Sequence, residues 1–109
     1  MFVVSKKPTF THTVKIMVPT DGGYKASDLK TTFRVMPTDE ANQYELDTAA
    51  GSSEFLRQVI ECLHDLVDED KSPLSYSDEV RDELLRQPYV RAGLARHYFN
   101  AISRAAEGN

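Results

Sequence analysis

The sequence predicts an α+β domain in which an N-terminal antiparallel β-hairpin packs on a C-terminal bundle of about four helices. Two observations lead to this fold class. Residues 1–36 contain two runs in which apolar and polar residues alternate with the period of a strand, whereas residues 37–107 repeat apolar residues every three or four positions. The length of 109 residues suits a single domain over the whole chain, with a β part at 1–36 and a helical part at 37–107.

Two β-branched, alternating runs predict the strands of the hairpin. The first covers residues 10–18 and ends at Pro19, before the turn residues Asp21-Gly22-Gly23. Its inward face is expected to hold Phe10, His12, Val14, Ile16 and Val18. The second covers about 29–36, after a loop of about eight to ten residues. Its inward face is expected to hold Leu29, Thr31, Phe33 and Val35, and its outward face Thr32, Arg34 and Met36.

Four helices are expected after the hairpin, each from its apolar period and its capping residues. They run from a capping Thr38 to about Leu46, from Glu54 to Val67 after a capping Ser53, from a capping Ser77 to about Gln87, and from Tyr89 to Ala106 with Gly108 as a terminal cap. Apolar residues of the second are Phe55, Leu56, Val59, Ile60, Cys62, Leu63, Leu66 and Val67. A stripe this wide favours a central helix that is covered on two sides.

The composition excludes several classes of protein. No apolar run approaches the roughly 18–20 residues of a membrane span, and the two lysines near the N-terminus follow the apolar residues instead of preceding them, unlike a secretion signal. The single cysteine, Cys62, suits a reducing cytoplasm. Nucleic-acid binding is not expected, because no segment carries a dense lysine and arginine footprint.

Charge is unevenly distributed along the chain. Residues 1–36 hold six basic and two acidic residues, residues 37–87 hold four basic and fourteen acidic residues, and residues 88–109 hold three basic and one acidic residue. This pattern favours head-to-tail contact between copies or contact with charged protein partners. Chance asymmetry, which is common in small domains, explains it equally well.

Three residues suggest nucleophilic catalysis, namely Cys62, His64 and His97. Such catalysis needs a thiol beside a base. On the expected helix Cys62 and His64 point about 200° apart, so they form no dyad, and Cys62 is interpreted as a core residue. Since no acid, base and nucleophile come together, no enzymatic activity and no cofactor are expected.

Two acidic patterns resemble metal sites. Glu61, His64, Asp65 and Asp68 recur at helical spacing, but no second cluster completes a site, so a solvated acidic face is the favoured interpretation. Asp68, Asp70, Ser72 and Glu79 match positions 1, 3, 5 and 12 of an EF-hand loop between two helices. Pro73 stands where that loop needs Gly, and Ser75 stands where it needs an apolar residue. No metal is therefore expected.

The final helix carries the residue types that anchor protein interfaces, aromatic residues and arginine. The expected partner-binding residues are Tyr89, Arg91, Arg96, Tyr98 and Phe99. The alternative is that Tyr98 and Phe99 simply belong to the core.

Taken in order, the segments of this chain resemble the tail assembly chaperone family of long-tailed, lambda-like bacteriophages. The resemblance is carried by Phe10-Thr-His-Thr-Val-Lys-Ile-Met-Val-Pro19, Thr32-Phe-Arg-Val-Met-Pro-Thr-Asp-Glu40, Phe55-Leu-Arg-Gln-Val-Ile60, Pro73-Leu-Ser-Tyr-Ser77 and Pro88-Tyr-Val-Arg-Ala-Gly-Leu-Ala-Arg-His-Tyr-Phe-Asn-Ala101. One departure is that the family often has a Gly-Trp pair after the second of its helices, whereas Glu61-Cys-Leu-His-Asp65 stands here and the chain has no Trp.

The resemblance implies an α+β fold, no catalysis, and binding to the tape measure protein in the host cytoplasm. That client is a long, partly hydrophobic helical protein that must stay soluble until tail tube subunits polymerise around it. The resemblance also implies self-association, with the tail tube protein as a second candidate partner and with absence from the mature virion. No nucleic acid and no membrane are implied.

Two other functions stay open at this point. A small structural tail or head–tail joining protein would remain in the virion, where mass spectrometry of purified particles detects it. The helices at 77–87 and 89–106 could also mimic a helix-turn-helix, but the acidic first helix would repel phosphate.

Overall fold

The computed structural model describes residues 1–103, and it has the expected α+β fold with four helices. The hairpin consists of β1 (Thr9–Thr20) and β2 (Gly23–Arg34), which pair antiparallel along their whole length. The expected long loop is wrong, since only Asp21 and Gly22 join the strands and Gly22 takes the positive φ of 85° that glycine favours. The start of β2 shows no apolar alternation because both of its faces there are exposed.

The expected inward face of the hairpin is confirmed in its central part, where Val14, Ile16, Leu29, Thr31 and Phe33 are buried. The assignment of Met36 to the outward face is wrong. The strand ends at Arg34, and the chain then turns inward, so that Met36 is buried and its backbone N–H donates to the Tyr98 hydroxyl at 3.0 Å.

The helical part begins with two elements whose bounds differ from the expected ones. Helix α1 (Thr38–Ala41) is a single turn that stops five residues early, and Pro37 rather than Thr38 is its N-terminal cap residue. Helix α2 (Ala49–Val59) begins five residues before the expected Glu54. Its cap is Thr48 instead of Ser53, because the Thr48 hydroxyl accepts a hydrogen bond from the Gly51 N–H at 2.9 Å.

The expected central helix to Val67 is wrong in its second half. Strand β3 (Ile60–His64) follows α2 directly and pairs antiparallel with β2, so that the sheet order is β1-β2-β3. Glu61 is an extra residue between the pairs Thr32–Cys62 and Phe33–Ile60, which makes a β-bulge. The bulge lets both Ile60 and Leu63 point inward, and this irregular spacing produces the helix-like pattern.

A second, two-stranded sheet also lies in the part that was expected to be helical. Asp65, with a φ of 57°, separates β3 from β4 (Leu66–Val67), which pairs with β5 (Pro73–Leu74). Two helices complete the chain, α3 (Asp78–Leu85) and α4 (Pro88–Ser103). The expected continuation of α4 to Ala106 and the cap at Gly108 lie outside the described residues.

One hydrophobic core joins the two parts of the chain. Its fully buried large side chains are Tyr98, Phe33, Phe55, Leu56, Leu85, Leu94, Val14 and Val59. Helix α4 lies against β1 with Gly93 facing Ile16, and it contacts α2 and α3 along its other sides. Within residues 1–103, no helix has the length and apolar character needed to cross a membrane.

Candidate protein-binding groove

The main unfilled apolar surface lies at the end of the sheet away from Thr9. Two adjoining depressions of about 440 Å³ and about 180 Å³ share Leu66, Val67 and Leu84. We call their combined surface the apolar groove. Its apolar lining consists of Ile16, Val18 and Leu29 from the hairpin, Leu66, Val67 and Leu74 from β4 and β5, and Val80, Leu84, Tyr89 and Val90 from α3 and α4.

Two side chains of the groove are strongly exposed for their type. Val67 is 53% exposed and Leu74 is 40% exposed, although both belong to the short β4–β5 sheet that forms one wall. An exposed apolar surface with polar margins is typical of a site that another molecule covers. The groove is therefore the best candidate for a binding surface in the described chain.

The charged side chains that line the groove are all acidic. They are Asp28, Asp65 and Glu83, and the exposed Glu69, Asp70 and Lys71 follow in the β4–β5 loop. Asp28 pairs with Lys15 and Glu83 lies 3.5 Å from Arg86, whereas Asp65, Glu69 and Asp70 form no ion pair within residues 1–103. This arrangement suits an apolar ligand segment that is flanked by basic residues.

The five expected partner-binding residues of α4 are divided among different surroundings. Tyr89 lines the groove, and with Arg96 it also borders a shallow depression beside β1. Arg91 instead donates through Nη1 to the Leu85 carbonyl oxygen at 3.1 Å, where α3 ends. Only Tyr89 of the five therefore belongs to the apolar groove.

The remaining two residues of that set pack inside the molecule. Tyr98 is 1% exposed, and its ring lies 5.3 Å from the Phe55 ring. Phe99 is half-buried and stacks on Phe55 with the ring centres 5.3 Å apart. The alternative that assigned Tyr98 to the core is thus confirmed, and an accessible contact through Tyr98 is excluded in this conformation.

Comparison of the chain with protein-family models, with curated proteins and with solved structures found no match. The function of the groove is accordingly inferred from its geometry and charge, together with the order of segments in the sequence. Leu66, Val67 and Leu74 were not expected in a binding surface, because the sequence predicted a helix for the first two and a polar loop for the third. The sequence does contain an indication of this surface, because Leu66, Val67 and Leu74 lie on either side of an otherwise polar run.

Cys62 and His64 lie on a strand, so the argument from helical geometry that separated them is wrong. Residues two apart on a strand share a face. His64 Nε2 is 2.7 Å from the Thr32 hydroxyl oxygen, while the Cys62 thiol donates to the Leu63 carbonyl at 3.6 Å. Cys62 is half-buried on this face and not in the core as expected. Both side chains are thus engaged with other groups, which gives no support for a thiol–imidazole dyad.

The acidic loop that resembled an EF-hand is a closed turn between β4 and β5. The Asp68 carboxylate accepts hydrogen bonds from the backbone N–H groups of Asp70 at 2.9 Å and Ser72 at 3.0 Å. A strand precedes the loop, so the helix–loop–helix frame that the sequence suggested is wrong. Within residues 1–103, no three His, Cys, Asp or Glu side chains converge as a metal site would require.

A histidine pair joins α4 to β1 at the other end of the sheet. His12 Nδ1 and His97 Nε2 are 2.8 Å apart, and the His97 ring stacks on the ring of Phe33. Burial lowers the pKa of His97, and the charge of His12 lowers it further. The contact is compatible with one proton between the two rings, whereas two charged rings would repel each other.

Acidification is expected to destabilise the protein through this pair. Above the ordinary histidine pKa of about 6.5 both the folded and unfolded chains carry a neutral His97, so this residue adds no pH dependence. Below it, the unfolded chain binds a proton that the folded chain resists until the lowered pKa is reached. Unfolding free energies of the protein and of His97→Gln, measured by denaturant titration at about pH 7.5 and about pH 5, should show a smaller acid loss in the variant. His64→Gln is the control and should keep the acid loss, and equal losses in all three proteins would contradict the assignment.

Proposed function

We propose that this protein is a tail assembly chaperone of a long-tailed bacteriophage and that its apolar groove binds a helical segment of the tape measure protein. The observation that carries the binding role is the groove itself, a lining of apolar side chains with Val67 and Leu74 left exposed. The resemblance of the sequence segments supplies the identity of the client.

The chemistry of the groove specifies the kind of segment that fits. The apolar lining favours an amphipathic helix that inserts its apolar face, a common way in which helical peptides are recognised. Asp65 at the margin, with Glu69 and Asp70 in the adjoining β4–β5 loop, favours lysine or arginine beside that apolar face. Burial of one leucine or valine side chain contributes about 1.5–3 kcal/mol, so a few contacts suffice for reversible binding. Reversibility suits a client that must later be released to the growing tail tube.

The proposed role is tested by co-expression with the tape measure protein of the same phage. The fraction of tape measure protein in the cleared lysate should rise when the intact chaperone is present. Leu74→Asp places a charge in the groove and should abolish most of this gain, because binding is expected to weaken about 10–100-fold. A direct titration of a client segment against both proteins gives the change in affinity.

A matched variant separates the groove from general effects on the surface. Leu46 is 39% exposed, nearly the same as Leu74 at 40%, but it lies outside the groove. Leu46→Asp should keep the client soluble as well as the unmodified protein does. If Leu74→Asp performs as well as Leu46→Asp, the groove is not the client site. If neither variant nor the intact protein affects the client, the chaperone role itself is refuted.

A further inference from the structure

A second apolar surface lies at the opposite end of the molecule. We call residues Met1–Val4 the apolar arm. Its four side chains are each at least 83% exposed, more than any other large hydrophobic side chain among the described residues. The arm leaves the domain after Pro8, whose carbonyl oxygen accepts a hydrogen bond from the Val35 N–H at 2.9 Å. Four successive apolar residues in water are a liability unless another surface covers them.

The apolar arm and the apolar groove are complementary, because both are apolar and the charges beside them are opposite in sign. Four apolar residues are followed by Ser5 and then by the exposed Lys6 and Lys7. Asp65 lines the groove, and Glu69 and Asp70 follow in the β4–β5 loop; all three are exposed and form no ion pair within residues 1–103. Apolar residues in the groove would bring the two lysines toward these carboxylates.

The arm does not lie in the groove of its own chain, because its four side chains are each at least 83% exposed. Helix α4 occupies the inner face of the sheet between the two surfaces, from Val90 at the groove to Tyr98 beside Met36. The groove of a second copy offers the arm an apolar surface without this obstacle.

We infer that the apolar arm of one copy docks in the apolar groove of a second copy. The contact is head-to-tail, because each copy offers an arm at one end and a groove at the other. Contacts of this kind build open chains unless the rotation between copies closes a ring. The inference requires the groove to be a binding surface, as in the proposed function, but it does not depend on the identity of the client. A client segment in the groove would displace the arm, so that self-association and client binding exclude each other.

Mixing two variants tests the inference without any client. The purified protein should show a mass that rises with concentration in sedimentation equilibrium. The double variant Phe2→Asp with Val4→Asp loses the arm contact and should be monomeric, and Leu74→Asp, which blocks the groove, should be monomeric as well. The mixture of these two variants should form dimers that grow no further, because one partner supplies the only intact arm and the other the only intact groove.

Leu46→Asp again serves as the control and should associate like the unmodified protein. Unchanged association of the arm variant, or a mixture that stays monomeric while circular dichroism shows both variants folded, would overturn the inference. The outcomes also separate the two proposals. Client binding by a chain that never self-associates refutes only the arm contact, whereas self-association without client binding refutes only the chaperone role.

Discussion

Truncation of Tyr98 to alanine is expected to lower the free energy of unfolding by about 3–5 kcal/mol, the range for large aromatic side chains in a core. Tyr98 is 1% exposed, and its ring packs against the rings of Phe33 and Phe55. Its hydroxyl also accepts the only described hydrogen bond of the Met36 backbone N–H. Small domains are stable by about 5–15 kcal/mol, so this variant should be close to unfolding at room temperature. Urea titration followed by circular dichroism measures the loss.

Two further variants divide the effect of Tyr98 into its parts. Tyr98→Phe keeps the ring but leaves the Met36 N–H without its acceptor, and it should cost about 1–3 kcal/mol. Tyr24→Ala truncates a tyrosine that is 72% exposed, and it should change stability by no more than about 0.5 kcal/mol. A Tyr98→Ala variant as stable as Tyr24→Ala would contradict the burial of Tyr98 in the core and favour its expected role as a partner-binding residue.

Replacement of Gly51 by alanine is expected to cost about 2–3 kcal/mol, because the first turn of α2 has no space for a Cβ atom. A Cβ there would lie 2.0 Å from the Glu45 carbonyl oxygen and 2.9 Å from the Thr48 hydroxyl oxygen. Relief requires movement of the backbone at Glu45 and loss of the Thr48 cap. The gain in helix propensity from glycine to alanine, about 1 kcal/mol, offsets only part of this cost. The midpoint of urea unfolding reports the net change.

Gly93 supplies the matched substitution in another helix. A Cβ at Gly93 would lie 2.7 Å from the Cδ1 atom of Ile16, which is the end of a flexible side chain and can move. Gly93→Ala should therefore stay within about 1 kcal/mol of the unmodified protein. If Gly51→Ala proves as stable as Gly93→Ala, the close approach between α2 and Glu45 does not constrain the fold.

Much of the fold is readable from the sequence because period and capping agree with the tertiary environment. The inward residues Val14 and Ile16 alternate cleanly, since one face of β1 meets the core and the other meets solvent. Helix α3 starts directly after Ser77, the expected capping residue. The Ser77 hydroxyl accepts a hydrogen bond from the Val80 N–H at 3.2 Å. The start of α4 at Pro88 follows the preference of proline for the first helical turn.

The strand at Ile60–His64 could not be predicted from the sequence, for a physical reason. A strand that is buried on one face and carries a bulge places inward residues three apart, at Ile60 and Leu63, which is also the spacing of a helix. No glycine or proline marks the change from helix to strand at Val59. The deciding factor is the second edge of β2, which needs a partner strand, and that requirement appears only when the hairpin is assembled.

The candidate site was readable only in part. Tyr89 was expected among the partner-binding residues and does line the groove, but the other walls come from the hairpin, β4, β5 and α3. A groove between six elements has no local pattern in the sequence, because its walls meet only through the tertiary fold. The apolar residues Leu66 and Leu74 flank a polar loop, and pairing between β4 and β5 turns them into one surface.

The position of α4 has a consequence for synthesis on the ribosome. Met36 and Tyr98, which the hydroxyl contact joins, are 62 residues apart in sequence, and His12 and His97 are 85 apart. The nascent hairpin therefore emerges long before the helix that covers it. Its apolar face stays uncovered while most of the chain is translated, and this face includes Val14, Ile16 and Phe33. During its own synthesis, a protein that is proposed to shield the apolar surface of another therefore exposes an apolar surface of the same kind.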